Sequence, residues 1–339
     1  MENIKVVDAD GHITDSEEGI SAYLEEPFRS RRRPFFHRDN WDRALSGRRG
    51  SSARDAETWV KAMDTEGIDL AVLFPTAGLG IGLVREADFA AALCRAYNDF
   101  VHDRFMKQNS RLKGIALLPL QNASEAVKEL NRTATTLGMP GAMLPAYGLR
   151  KLLGHQEYWP IYEEAQRLGV ALAVHAGPRG SHQFGTDLFD RFIEVHAISH
   201  PFGQIAQLTS ILCSGVPEKF PRLRLGFLEA GCGWVPYWME RLDEEYEKRA
   251  DEVPLLKSKP GDYMRSGQLF YSCECEEGML PYVLERIGED VVLYASDFPH
   301  WDSNYPNTVK TIVKREDLSE RQKRKVLSEN AKCFYKLSV

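Results

Sequence analysis

With 339 residues, the chain is long enough for one large α/β barrel or for two smaller domains. Its hydrophobic fraction of 43% and charged fraction of 27% are those of an ordinary globular protein, and its net charge of -6 disfavours a nucleic-acid partner. No run of eighteen apolar residues occurs, so we expect a cytoplasmic protein without a membrane partner.

The six cysteines follow no zinc-ribbon or disulfide-framework spacing, and we expect them to be reduced and structural. Cys273, Glu274 and Cys275 form a C-x-C sequence on a predicted strand, where the two sulfurs share one face and Glu274 takes the other. The dense basic run at residues 29–33 is interpreted as a solvated loop, because no further basic residues extend it.

Regular structure begins with residues 6–12, VVDADGH, where a β-branched start leads into acids, a glycine and a histidine. The pattern predicts a buried strand with polar side chains at its carboxyl end. Since side chains on a strand alternate between faces, Asp8, Asp10 and His12 are expected to point the same way. Three such groups are unfavourable in an apolar interior unless a partner neutralises them, and a divalent metal ion would do so. The alternative is that Asp8 caps a loop and His12 is a hydrogen-bonded turn residue.

Residues 13–52 form a long polar stretch, rich in Arg and Pro, in which Phe35, Phe36 and Trp41 are embedded. An insertion of this length within a compact domain indicates a lid or a substrate wall, and its aromatic residues suggest an apolar or planar substrate. We therefore expect a single domain over residues 1–339 that carries this insertion after its first strand.

Helical and strand patterns then alternate down the chain. Apolar spacing predicts a helix that ends at Gly67, a helix through residues 89–100, and helices at 123–137, 158–168, 204–214, 235–248 and 280–287. Apolar runs predict strands at 68–75, 112–118, 141–145, 170–175, 223–229, 269–274 and 291–297. With the first strand this makes eight, the number in a closed (β/α)8 TIM-type barrel. An open doubly wound sheet is the main alternative, but no G-x-G-x-x-G motif follows the first strand.

Polar residues collect at the carboxyl ends of five predicted strands. They are Asp10 and His12 after the first strand, His175 after the fifth, Glu229 after the sixth, Glu274 after the seventh and Asp297 after the eighth. In a barrel these ends converge, and two histidines with several carboxylates make a metal site of mixed nitrogen and oxygen ligands. Any one of these residues alone is interpreted as a satisfied core group. Asp10, His12, His175 and Asp297 together predict a metal site.

Several motifs occur in order along the chain: DADGH at 8–12, AVHAG at 173–177, SGV at 214–216, FPRL at 220–223, EAGCGW at 229–234, ASDFPHWD at 295–302 and NA at 330–331. Over almost its whole length the sequence resembles the amidohydrolase superfamily, specifically the branch that includes metal-dependent aromatic-acid decarboxylases and related hydrolases. The resemblance implies that Asp10, His12, His175 and Asp297 are metal ligands. Many relatives carry a histidine at the end of the sixth strand, where this chain has Glu229.

The departure at Glu229 leaves two roles open. Glu229 is either the general base, with a pKa set by burial and by the metal charge, or a ligand of a second metal ion. Candidate partners for a second ion are His182, His196, His200 and Glu274. A carboxylate-rich two-metal site suits iron or manganese better than zinc. A few proteins similar to this fold use a di-iron centre to activate oxygen, so a di-iron oxygenase is the alternative function.

Two further histidines have open roles. His200 opens the sequence HPFG at 200–203, which predicts a turn directly before a helix, where His200 caps the helix or contacts a ligand or substrate. His300 follows Asp297 closely and either orients a metal ligand or anchors its loop.

We therefore expect an enzyme in which one or two divalent ions, zinc, manganese or iron, act as a Lewis acid on a small-molecule substrate. The reaction is decarboxylation of an aromatic acid or hydrolysis of an amide, ester or lactone, and Glu229, Asp297 and His200 are the expected catalytic residues. The sequence leaves open whether the chain forms a homo-oligomer. A binding barrel without chemistry is disfavoured, because the proposed ligand set is intact.

Overall fold

The computed structural model describes residues 4–31, 34–36, 52–177 and 184–338. Within these residues the strands are β1 (Val7–Ile13), β2 (Leu70–Pro75), β3 (Leu112–Gly114), β4 (Ala116–Leu117), β5 (Gly141–Pro145), β6 (Ala171–His175), β7 (Leu225–Leu228), β8 (Leu269–Cys273) and β9 (Val292–Tyr294). They form two sheets, β1-β2-β3 and β4-β5-β6-β7-β8-β9, in which every pairing is parallel. Strands occur at all eight predicted positions, with ends trimmed by a few residues.

The third predicted strand is divided into β3 and β4 at Ile115. The break is local, because the Ile115 amide still donates to the Leu73 carbonyl of β2 at 3.0 Å. At the other end of the series, the segment after β9 approaches β1: the Asp297 amide donates to the Asp10 carbonyl at 3.1 Å, and the His12 amide donates to the Phe298 carbonyl at 2.7 Å. The α/β class with parallel sheets is confirmed and agrees with a barrel, while full closure of the barrel stays a prediction.

Helices alternate with the strands along the described chain. They are α1 (Glu17–Ser21), α2 (Ala56–Glu66), α3 (Ala87–Val101), α4 (Ala123–Thr135), α5 (Trp159–Leu168), α6 (Phe192–Cys213), α7 (Val216–Lys219), α8 (Trp234–Arg249), α9 (Pro260–Met264), α10 (Leu280–Ile287), α11 (Thr308–Lys314), α12 (Glu320–Arg324) and α13 (Asn330–Tyr335). Helix α2 shows why the predicted ends hold: the Asp55 carboxylate accepts from the Thr58 amide, and Gly67 closes the helix with a left-handed φ of 79°. No described helix has both the length and the apolar character needed to span a bilayer.

Helix α6 corrects one prediction. The sequence interpretation placed a turn at His200 and began the helix at residue 204, because a proline inside a helix lacks an amide hydrogen and usually ends it. In the structure α6 begins at Phe192 and continues through Pro201. The carbonyl that Pro201 leaves without its usual donor belongs to Ala197, which is exposed, so water can hydrate it. His200 therefore lies inside a helix and does not cap one.

The strands lie in the interior. Apart from Lys113, every residue of β1 to β9 is buried, as expected for parallel strands covered on both faces. Cys273 and Cys275 are buried while Glu274 is exposed, as the predicted alternation requires, although β8 ends at Cys273 and does not include the other two residues. Within the predicted insertion, Phe35 and Phe36 are buried in the core, whereas Trp41 lies outside the described residues. A lid or substrate wall at residues 13–52 stays a prediction.

Candidate metal centre

Four strands bring ionisable side chains to one end of the sheets. Asp10 and His12 lie on β1, His175 is the last residue of β6, Glu229 follows β7 directly, and Asp297 follows β9. Parallel strands place their carboxyl ends at one edge, so residues far apart in sequence become neighbours. Two groups of side chains are close enough to hold a cation, namely Asp10, His12 and His175, and His12, Glu229, Asp297 and His300.

The distances define a compact cluster around the His12 ring. His12 Nε2 lies 3.5 Å from Asp10 Oδ1, 3.5 Å from Asp297 Oδ1 and 3.7 Å from Glu229 Oε2. His175 Nε2 lies 3.4 Å from Asp10 Oδ2 and 3.1 Å from Glu229 Oε2. The His12 and His175 rings meet edge to face, with centroids 5.0 Å apart. The predicted ligands Asp10, His12, His175, Asp297 and Glu229 therefore come together.

Backbone carbonyls orient both imidazoles of this cluster. His12 Nδ1 lies 2.8 Å from the Pro75 carbonyl oxygen, and His175 Nδ1 lies 2.9 Å from the Ala176 carbonyl oxygen. A carbonyl only accepts hydrogen bonds, so Nδ1 carries the proton in each neutral ring. Nε2 then presents its lone pair to the carboxylates, which are acceptors as well.

With both rings neutral, acceptors face acceptors, and several buried atoms are left without hydrogen bonds. Within the described residues, the atoms concerned at this centre are Asp10 Oδ1, His12 Nε2, His175 Nε2, His200 Nε2, Glu229 Oε2 and Asp297 Oδ1. Buried polar atoms are normally paired, and an exception needs an explanation. A divalent cation would satisfy these nitrogen and oxygen atoms together, and histidine with carboxylate is a donor set that manganese, iron and zinc accept. The residues present therefore fit a metal ion.

The pKa values reflect the same crowding. Burial alone would lower the pKa of His175, but the carboxylates of Asp10 and Glu229 outweigh it and raise this pKa to about 9. Burial, together with the nearby His300 and His175, lowers the pKa of His12 well below its usual range. Burial would raise the pKa of Glu229, but His175 and neighbouring histidines lower it well below its usual range. Before an ion binds, a proton on His175 takes over part of the neutralisation.

His300 is paired with Asp297 at the edge of the cluster. His300 Nδ1 lies 2.7 Å from Asp297 Oδ1, and its ring lies 4.1 Å from the His12 ring. Burial raises the pKa of Asp297 to about 7, although His300 opposes this shift. Burial would lower the pKa of His300, but Asp297 raises it to about 10. His300 Nε2 in turn lies 3.2 Å from the Thr76 hydroxyl, a contact that the sequence interpretation missed. The signal for Thr76 was its place directly after a strand end.

The candidates for a second metal ion have different positions. His200 is buried, and its Nε2 lies 3.4 Å from Glu229 Oε1. His196 lies one turn earlier on α6, with its ring 4.5 Å from the His200 ring and its Nε2 3.5 Å from Asp302 Oδ2. Neither residue belongs to the two groups close enough to hold a cation among the described residues. Glu274 follows β8 and is exposed, and His182 lies outside the described residues.

Asp8 corrects the expectation that three side chains of β1 point the same way. The register of β1 against β2 shifts between Asp8 and Gly11, so the strict alternation breaks. The Asp8 carboxylate accepts hydrogen bonds from the Ser296 amide at 2.9 Å and the Ser296 hydroxyl at 2.5 Å. Asp8 thus ties β1 to the segment that carries Asp297 and leaves the cluster to Asp10 and His12.

Parallel strands that present imidazoles and carboxylates at their carboxyl ends are typical of metal-dependent α/β enzymes. The sequence profile of the amidohydrolase family matches residues 7–337, and the chain belongs to this family. This confirms the family that the motifs indicated.

Three proteins show what the chain is similar to. It is 26% identical over 293 residues to gamma-resorcylate decarboxylase from Polaromonas sp. strain JS666, a match over 82% of this chain and 86% of that protein. The crystal structure of 5-carboxyvanillate decarboxylase from Sphingomonas paucimobilis has a TM-score of 0.77 and 21% identity, covering 99% of this chain and 100% of that one. The crystal structure of dihydroxybenzoic acid decarboxylase from Polaromonas sp. JS666 contains bound manganese and the inhibitor 2-nitroresorcinol. It has a TM-score of 0.75 and 20% identity to this chain, and the match covers 98% of this chain and 97% of that one.

Proposed function

We propose that this chain is a metal-dependent decarboxylase of a small aromatic carboxylic acid. The observation that carries the proposal is the set of buried imidazole and carboxylate atoms that converge at the strand ends without hydrogen-bond partners in the described chain. The names of the similar proteins support decarboxylation over hydrolysis, and manganese in one of them supports a divalent ion. Hydrolysis of an amide, ester or lactone is the remaining option for the same centre.

Asp10, His12, His175 and Asp297 are the proposed metal ligands. When bound, the ion supplies a Lewis acid that draws charge from a carboxylate or phenol oxygen of the substrate. The carbonyls of Pro75 and Ala176 keep the two imidazoles in the tautomer that offers Nε2. Both rings are buried.

Decarboxylation needs one proton at the carbon that loses its carboxylate. The bond between that carbon and the carboxylate breaks, its electron pair stays on the carbon and takes up the proton, and carbon dioxide leaves. Asp297 Oδ1, which belongs to a proposed ligand, lies 2.7 Å from His300 Nδ1, and a proton on His300 would be held beside the metal site. This pair is the proposed proton source, and solvent restores the proton after each cycle.

Glu229 and His200 face each other as a second charged pair of the centre. Burial would lower the pKa of His200, but the Glu229 carboxylate outweighs this effect and raises that pKa above its ordinary value. Glu229 Oε1 lies 3.4 Å from His200 Nε2, whereas Glu229 Oε2 faces His175 at 3.1 Å. We assign His200 the role of holding a substrate oxygen or supplying a proton, with Glu229 setting its charge.

The alternative function is a di-iron oxygenase. In that case Glu229, whose two carboxylate oxygens face His175 and His200, would help to hold a second ion, although His200 belongs to neither group of described side chains close enough to hold a cation. Metal stoichiometry and oxygen consumption separate this alternative from the decarboxylase.

The test begins with protein purified without added metal and analysed for elemental content. We expect one divalent ion per chain and anaerobic release of carbon dioxide from a panel of hydroxylated benzoates. In deuterium oxide, the product should carry one deuterium at the position of the lost carboxylate.

The informative variant is His175→Ala, and the matched control is His155→Asn, which changes an exposed histidine whose Nδ1 accepts from the Glu157 amide. His175→Ala should lose both the metal and the activity, and the control should keep both. Two irons per chain with oxygen uptake would favour the oxygenase, and full activity in His175→Ala would refute a metal-dependent reaction at this centre.

A further inference from the structure

The junction between β2 and the 3₁₀ helix Ala77–Leu83, called here the turn of residues 75–78, supports two imidazoles of the metal centre at once. The Pro75 carbonyl accepts from His12 Nδ1 at 2.8 Å, and the hydroxyl of the next residue, Thr76, lies 3.2 Å from His300 Nε2. His12 and His300 in turn face the same carboxylate, Asp297, at 3.5 and 2.7 Å. This short turn therefore makes one polar contact with each of the two rings.

One side chain from outside the cluster holds the turn in place. Asp15 Oδ1 accepts from the Thr76 amide at 2.9 Å and from the Ala77 amide at 2.7 Å, and Asp15 Oδ2 accepts from the Gly78 amide at 2.9 Å. Asp15 is buried, with 8% of its surface exposed, and does not belong to the groups close enough to hold a cation. Three consecutive amides on one buried carboxylate form an anchor for the turn, and the Gly78 amide in particular would otherwise be buried without a partner.

We propose that Asp15 is a positioning residue of the metal centre, which acts through the turn of residues 75–78 to orient His12 and His300. A series of contacts thereby connects Asp15 with Asp297 through Thr76 and His300. Asp15 itself makes no hydrogen bond to a proposed ligand. The catalytic part of this inference rests on the proposed function. The orienting part concerns the geometry of the protein and stands apart from the reaction.

The chemistry of the anchor predicts which substitutions matter. Asparagine has the shape of aspartate but only one acceptor oxygen, so Asp15→Asn turns an amide group toward at least one backbone donor. The turn must then shift, and both rings lose their fixed support. Thr76→Val keeps the shape of Thr76 but removes the hydroxyl that contacts His300, whereas Thr76→Ser keeps the hydroxyl.

A matched control lies in a different part of the fold. Glu66, at the end of α2, is also buried, and its carboxylate also accepts three hydrogen bonds, from the Thr308 amide and hydroxyl and the Val309 amide. Glu66→Gln removes the same kind of anchor without touching the turn of residues 75–78. Any general loss of stability is therefore common to Glu66→Gln and Asp15→Asn.

The first readout is nuclear magnetic resonance of metal-free protein labelled with ¹⁵N at its histidine rings, and the second is the manganese dissociation constant from chelator competition. Asp15→Asn should shift the ring signals of both His12 and His300 and weaken manganese binding by about 10- to 100-fold, the usual effect of removing support behind a ligand. Thr76→Val should shift the His300 signals and leave those of His12 in place, and Thr76→Ser should restore them. Glu66→Gln should change neither readout.

The third readout is the split between kcat and KM for any substrate found. Thr76→Val should lower kcat with little change in KM, and Thr76→Ser should recover kcat. The proposal would be overturned if the ring signals and the manganese affinity of Asp15→Asn were the same as those of Glu66→Gln. If Asp15→Asn does not fold, ring signals in Thr76→Val that match those of Thr76→Ser would overturn it as well. A wild-type chain without decarboxylase activity would refute the proposed function but would leave the first two readouts of Asp15 intact.

Discussion

Gly11 lies between the two proposed ligands of β1, and adding a single methyl group there should disturb the whole strand. A Cβ at Gly11 would lie 2.2 Å from Trp59 Cη2, 2.9 Å from Trp59 Cζ2 and 3.0 Å from Asp8 Oδ2. Ordinary contacts between carbon atoms are about 3.5 to 4.0 Å, so the indole must move by more than about 1 Å. Trp59 is fully buried and cannot swing into solvent.

The magnitude follows from what the indole holds. Trp59 Nε1 donates to the His12 carbonyl at 3.0 Å, and its ring packs edge to face on Phe298 with centroids 5.1 Å apart. Overpacking costs about 1 to 3 kcal/mol, and a broken buried hydrogen bond costs about 1 to 3 kcal/mol more. After an offset of about 0.5 kcal/mol from the stiffer unfolded chain, Gly11→Ala should lower the free energy of unfolding by about 2 to 5 kcal/mol.

Urea denaturation followed by circular dichroism measures this loss. Gly278→Ala is the control, because a Cβ there meets no atom within 4 Å. In a double-mutant cycle, Trp59→Phe removes the atoms that the new methyl group would strike, so the two changes together should cost less than their sum by about 1 kcal/mol or more. Strict additivity, or a Gly11→Ala stability within about 0.5 kcal/mol of the control, would refute the reasoning.

The remaining predictions concern the ion and the acids around it. Because the pKa of His175 is about 9 in the metal-free protein, its ring is protonated at pH 7 and must release that proton to offer Nε2 to an ion. The affinity for manganese should therefore rise with pH up to about pH 9. Calorimetry in two buffers of different ionisation enthalpy should show about one proton released per ion bound, and binding without proton release would contradict the assignment. Glu229→Gln keeps the shape of the side chain but removes its charge, and it should lower the turnover number by about 100-fold or more. The circular dichroism spectrum should stay unchanged, and a fully active variant would exclude a role of Glu229 in the chemistry. Removal of the metal with a chelator should lower the free energy of unfolding by about 3 to 4 kcal/mol, compared with protein in the presence of metal at about 100 to 1,000 times the dissociation constant of the metal. An unchanged midpoint of urea unfolding would mean that no ion stabilises the fold.

The strands of this fold could be predicted because their signal is local. Runs such as residues 171–175 are apolar throughout, since parallel strands are buried on both faces, and glycines or capping acids bound the helices between them. The same regularity placed Asp10, His12, His175, Glu229 and Asp297 at strand ends, and strand ends meet in space. The convergence of the cluster thus follows from topology and required no knowledge of side-chain contacts.

The failures come from features that depend on tertiary structure. Asp8 departs from the alternation because a register shift interrupts β1, and the pairing of β1 with β2 is not written in residues 7–13. Helix α6 runs through Pro201, since a helix tolerates the missing hydrogen bond where its carbonyl is exposed. Asp15 and Thr76 carry no motif, and only the folded turn shows that they support the centre.

Backbone conformation provides an argument for the site that is independent of the motifs. Three non-glycine residues of the described chain have a positive φ: Glu229 at 55°, Asp297 at 52° and Lys336 at 53°. Lys336 ends α13, where a left-handed residue is usual. Glu229 and Asp297 have no such reason, and a left-handed conformation costs a residue with a Cβ about 1 to 2 kcal/mol. Strain of this kind persists where the surrounding structure fixes it, here through the Glu229 amide on the Ser272 hydroxyl and the Asp297 amide on the Asp10 carbonyl. Both strained residues contribute carboxylate atoms to the buried acceptors without hydrogen bonds at the strand ends of the described chain. The fold therefore maintains strain where the candidate site lies, as expected for a functional centre.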